Sequence, residues 1–205
     1  LADLTEDVEA VAVIVGRTRE TGLTRALLGS STERLMQGAT APIVVVPPGW
    51  RQSAPDRFSS IGVAYIDTRD GREALRMAVL LAQRIPARVT LYSVFGRSSE
   101  HYSYLVGRAD ERAFLDVARD SFGKALDFAA AGVPPELEAR TVLLKGQVVE
   151  SLAALGPEDI DVLVCGSRGY GPVRRVLLGG VSSRLIRRAR APVAVVPRAT
   201  TAYAE

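Results

Sequence analysis

Glycine spacing is the first feature of this chain that demands a chemical explanation. Gly166 is followed after two residues by Gly169, and after nine more by Gly179-Gly180-Val181-Ser182. The stretch before it, 161–165, is apolar and of strand length, and the stretch after it, 182–190, reads as a helix. A loop from a strand's carboxyl end to a helix's amino end collects free N–H groups and the positive end of the helix dipole, which attract anions. Glycines let those amides approach phosphate oxygens and supply positive φ where a turn needs it. Ser182 can cap the helix and also reach a phosphate. On residues alone, the loop is either a phosphate cradle or a tight strand-to-helix connection.

Other chemistries find few candidates. His101 is the only histidine and lies in a polar stretch, so histidine-dependent triads and metal clusters are excluded. Cys165 is the only cysteine, so no intrachain disulfide can form, which fits a reducing compartment. It reads as a small buried hydrophobe, with a place in a base pocket as the alternative. Phe122-Gly123-Lys124-Ala125 imitates a Walker lysine, but Ala118 stands where that motif needs glycine, Ala125 replaces Ser or Thr, and the segment is mid-helix. Arg174-Arg175 and Arg184, Arg187, Arg188 and Arg190 read as a loop and a solvated helix face, with nucleic-acid contact the lesser alternative.

The elements that must hold the glycine loop alternate along 58–198. Strand-like runs fall at 60–66, 89–95, 138–144, 161–165 and 193–196, and helical runs at 72–85, 109–131, 148–155 and 182–190. Such alternation implies a doubly wound, five-stranded parallel sheet with helices on both faces. Continuous apolar runs such as VLVC and VAVV suit strands buried on both sides. The composition, 47% hydrophobic and 24% charged with a net charge of +3 over 205 residues, is that of a chain that buries a core. No run approaches the ~20 apolar residues of a membrane helix, and no signal peptide is visible.

Compared with itself, the chain is duplicated. Residues 16–47 align with 166–197 at an offset of 150 and without a gap, matching Leu27-Leu28-Gly29 to Leu177-Leu178-Gly179 and Ala41-Pro42 to Ala191-Pro192. The first copy holds only the end of the pattern: a helix remnant at 1–5, a strand at 11–15, a helix at 31–38 and a strand at 43–46. The organisation expected is a remnant at 1–49, a linker at 50–57 rich in proline and small polar residues, a complete module at 58–198 and a tail at 199–205. About a hundred upstream residues would complete the first module.

The run CGSRGYGPVRRVLLGGVSSRLIRRARAPVAVVP resembles the universal stress protein signature, Gly-x2-Gly-x9-Gly followed by Ser or Thr, a helix and a Pro-Val-x-Val-Val-Pro strand. The resemblance covers 58–198, and 1–47 resembles the last third of another copy. It implies the universal-stress, adenine-nucleotide α-hydrolase-like fold and an ATP site, with or without Mg2+, AMP or a cyclic adenine nucleotide being the alternatives. Carried over residue by residue, that site comprises Ala64, Asp67, Val89, Cys165, Gly166, Gly169, Gly179, Gly180, Val181 and Ser182. Asp67 matches the aspartate at the end of the first strand, turned to sugar or base, and Val89 or Leu91 stands for the second strand. Gly180 departs from the Ser or Thr of the pattern, which keeps an amide and loses a hydroxyl. In the first copy Arg19 replaces the second glycine and Ser30-x-x-Glu33 reads as a capping box, so that copy is expected not to bind.

The expected function is that of a cytoplasmic, non-enzymatic, ATP-binding stress-response protein. The rival is a universal-stress-type interaction module without nucleotide. Adenylating signatures such as SGGxDS or HIGH are missing from the sequence, which argues against a synthetase. In assembly, the final strands Ile43–Val46 and Val193–Val196 are short, apolar and uncharged edges. They are expected to pair antiparallel, within one chain or in a homodimer.

Overall fold

The computed structural model describes residues 10–17, 41–50, 57–96, 108–167 and 180–197, the side chains of 108–114 excepted. The first copy supplies strands β1 (Val13–Gly16) and β2 (Ile43–Val46). The second supplies β3 (Ser60–Ala64), β4 (Arg88–Phe95), β5 (Arg140–Lys145), β6 (Val162–Gly166) and β7 (Val193–Val196). Four helices, α1 (Arg69–Arg84), α2 (Arg108–Ala131), α3 (Val148–Ala153) and α4 (Gly180–Arg188), connect or cover them.

The second copy forms the expected five parallel strands, but the sheet does not stop there. β1 and β2 continue it to seven strands in the order β1-β2-β7-β6-β3-β4-β5. Every pair is parallel except β2 with β7, where Ile43 faces Val195, Val44 faces Ala194 and Val45 faces Val193. Of the two pairings open to the final strands, the intrachain one is present. A homodimer through β7 would need the edge that β2 already covers. Both strands end at a Val-Pro step, and proline lacks the N–H to carry a ladder further.

Helices cover both faces of the second copy. Ala74, Ala78 and Ala82 of α1 and Leu126 of α2 pack on Ile61, Val63, Val89, Leu91 and Val164. Val149 and Leu152 of α3 and Leu185 of α4 pack on Tyr92, Val94 and Leu163 across the sheet. Each large aliphatic side chain fully buried in this way contributes about 1.5–3 kcal/mol. A third cluster joins the copies: Ile43 and Val45 meet Cys165, Val193, Val195 and Ile186. Among the described residues no helix is long and apolar enough to cross a membrane.

The start of α1 differs most from the sequence expectation. α1 begins at Arg69 rather than 72 because Thr68 caps it, its hydroxyl accepting from the Gly71 amide at 3.2 Å. Gly71 permits this turn, since a Cβ there would collide with the Ile66 carbonyl oxygen. α4 begins at Gly180, two residues before Ser182. The helices expected at 1–5 and 31–38 lie outside the described residues.

Candidate functional site

Topology locates a crevice. β3 runs into α1 on one face, whereas β6 leads toward α4 on the other, and the two strands are neighbours with Ala64 opposite Cys165. Where adjacent parallel strands send their connections to opposite faces, a cleft opens at their carboxyl ends, and open α/β sheets bind ligands there. Ala64, Gly166 and the first turn of α4 gather at this end. Gly169 and Gly179 lie outside the described residues.

The two ends of the glycine loop are tied together. Ser182 is buried, and its hydroxyl donates to the Ser167 carbonyl at 3.1 Å. It therefore sits inside the first turn of α4 and is not its cap, and its hydroxyl braces strand end to helix start. Gly180 and Val181 are exposed, and none of the described residues lies within 4 Å of the place a Gly180 Cβ would occupy. The first-turn amides of a helix have no partner within it, so this end offers donors and a positive dipole to an anion. Arg184 folds back along the same turn, its Nε donating to the Gly180 carbonyl at 2.8 Å. That places a cation near the helix start, on a residue expected from the sequence only as part of a solvated face.

Gly166 has a structural reason of its own. A Cβ there would lie 2.7 Å from the Asp70 carbonyl oxygen and 2.8 Å from the Asp70 Cβ, because the first turn of α1 rests on the end of β6. Asp70 is itself buried. The glycine is required for helix-to-strand contact whether or not a phosphate approaches. Asp70 passed unnoticed in the sequence because its neighbour in space is 96 residues away.

Three expected site residues are placed otherwise. Asp67 does not end β3, which stops at Ala64; it lies in the turn before the Thr68 cap. Its carboxylate pairs with Arg72 and accepts from the Tyr65 hydroxyl at 3.4 Å. Burial, then the nearby Asp67 carboxylate, raises the Tyr65 phenol above its ordinary range. Val89 is the second residue of β4, fully buried at the amino end and paired with Ile61, so it cannot reach a crevice at the carboxyl end. Leu91, also fully buried, fares no better; Val94 and Phe95 end the strand. Cys165 points into the cluster joining the copies, and burial pushes its thiol up to about 12.

A separate open cleft of ≈ 560 Å³ lies between α2 and the ends of β4 and β5, lined by Phe95, Leu115, Asp116, Arg119, Leu143 and Lys145. None of the described site residues expected from the sequence lines it. Arg188 and Arg190 pair with Glu150 and Glu158 at 2.8 and 3.0 Å. Among the described residues no three His, Cys, Asp or Glu side chains gather as metal ligands would.

Comparison with known proteins complements this geometry. The family model described as the universal stress protein family matches residues 1–47 and 57–197. A universal stress protein of Mycobacterium bovis is 28% identical over 200 residues, covering 96% of this chain and 68% of that protein. Among solved structures, a universal stress protein from Archaeoglobus fulgidus aligns with TM-score 0.61 at 21% identity, over 96% of this chain and 66% of that one. One from Lactobacillus plantarum gives TM-score 0.55 at 24% identity, over 69% of this chain and 99% of that one. The chain thus spans about two thirds of the longer relatives and a whole shorter one fits within it.

Proposed function

The chain belongs to the universal stress protein family, and from that premise we propose that its second copy binds an adenine nucleotide, ATP foremost, as a regulatory ligand in a cytoplasmic stress response. The observation that carries the reading is the first turn of α4: Gly180 and Val181 exposed, with no described residue over Gly180 and Arg184 folded alongside, beside the β3–β6 crevice. A phosphate group is the ligand such donors suit. The resemblance of the glycine spacing supplies the adenine half of the reading, and Gly169 and Gly179 belong to it as sequence matches. Ligand binding to the folded state alone would stabilise it by mass action.

One observation favours the rival, an interaction module without nucleotide. Gly166 and Ser182, two of the expected site residues, already have structural work, against Asp70 and with Ser167. Calorimetry on the 205-residue chain decides between them. The wild type should bind ATP, and Gly180→Leu, whose Cβ meets none of the described residues, should weaken binding at least tenfold, about 1.4 kcal/mol. A wild type that takes up no ATP at millimolar concentration leaves the interaction module standing. Equal binding by Gly180→Leu would remove α4's first turn from the site.

A further inference from the structure

Arg17 belongs to the first copy but reaches the helix of the second. Its main chain is fixed in the ladder, its amide donating to the Val46 carbonyl at 2.8 Å. Its guanidinium crosses the joint between the copies and donates to the Ile186 carbonyl at 3.0 Å and the Ala189 carbonyl at 3.3 Å. These lie at the carboxyl end of α4, where helix carbonyls lack intrahelical partners and the dipole is negative. A forked cation suits both needs.

The duplication shows what is special here. At the offset of 150, Arg17 corresponds to Ser167, whose carbonyl receives Ser182 within its own copy. At this position the second copy's main chain holds its own helix, and the first copy's side chain reaches the other copy's helix. The antiparallel β2–β7 pairing makes that possible: it turns the carboxyl end of β1 toward the amino end of β7, which α4 feeds. A nine-residue helix is short, about 13 Å long, so a brace at one end bears on the other.

We infer that Arg17 is a positioning residue for the anion-binding end of α4, so that the first copy, not itself a site, sets the geometry of the second copy's site. The inference rests on the proposed nucleotide reading for its consequence, not for its mechanics. By linkage, ATP at the first turn and Arg17 at the last favour the same placement of one rigid element.

Arg17→Met keeps much of the apolar stem and removes the fork; Arg17→Lys keeps the charge. In the full chain without ligand, hydrogen exchange at the Arg184–Ile186 amides should rise about tenfold in Arg17→Met and recover in part in Arg17→Lys. ATP affinity should fall about fivefold in Arg17→Met. Exchange matching the wild type, or faster only at Arg188 and Ala189, would overturn the inference. So would ATP affinity unchanged in Arg17→Met beside a wild type that binds. If the wild type binds no ATP, the proposed function fails, and the exchange measurement still decides the role of Arg17. Should Arg17→Met fail to fold, Arg17→Lys carries the exchange test against the wild type, with a smaller rise expected and no change overturning it.

Discussion

Ile14 and Val164 occupy the same position of the two copies, in strands that read VIVG and VLVCG, yet Ile14 is 71% exposed and Val164 1%. The difference lies in their neighbours. β6 has β7 on one side, β3 on the other and α1 above, whereas β1 has β2 as its strand neighbour among the described residues. Asp161, just before β6, accepts from the Ser59 and Ser60 amides at 2.7 and 2.8 Å and stitches β6 to β3. The first copy has exposed Val11 at that position. A strand's apolar pattern therefore specifies that it can be buried, and its surroundings specify that it is.

The comparison breaks most sharply under a buried charge. Val164→Asp places an unpaired carboxylate in the core and should cost about 4 kcal/mol or more, whereas Ile14→Asp at the matching position should change stability by no more than about 0.5 kcal/mol. Urea unfolding of both variants gives the two values. Comparable losses would mean that β1 is as enclosed as β6.

A smaller contrast separates the first glycines of the two loops. Gly166→Ala drives a methyl against Asp70 and should destabilise by about 1–3 kcal/mol. Gly16→Ala meets none of the described residues within 4 Å and should stay within about 0.5 kcal/mol. Equal effects in thermal melts would undo the claim that Gly166 is held by α1.

The smallest effect concerns Cys165, whose counterpart in the first copy is Val15. Cys165→Val imports that residue and should shift stability at pH 7 by less than about 1.5 kcal/mol. The folded thiol holds its proton to about 12 against an ordinary 9.0, so the wild type keeps this contribution below pH 9 and loses it as pH rises toward 12. At pH 10 the loss should reach about 1.4 kcal/mol and be missing in Cys165→Val. Parallel pH profiles for the two proteins would show the thiol to be less enclosed than the fold implies.

Much of the architecture was legible. β2 and β7 have the bounds read from the sequence, because a short β-branched run between Ala-Pro and proline leaves little room for another register. Their antiparallel pairing followed from two uncharged edges that each need a partner. Helix starts were read late at α1 and α4, since periodicity of apolar residues is silent about the polar first turn that Thr68 and Gly180 begin. The candidate site is legible as glycine spacing and illegible as depth: nothing in the sequence shows that Val89 lies at the far end of its strand.

What the sequence by itself determined is local or repetitive: the elements, their alternation, the duplication at 150 residues and the glycine loop. Periodicity and turn chemistry act over a few residues, so they are written in the order of the chain. Tertiary structure alone decided which face of each strand meets water, that Gly166 makes room for Asp70, that the Ser182 hydroxyl is taken by Ser167, and that Arg17 reaches α4 across 169 residues. Those outcomes depend on distances between segments remote in sequence, and only the assembled sheet brings such segments together.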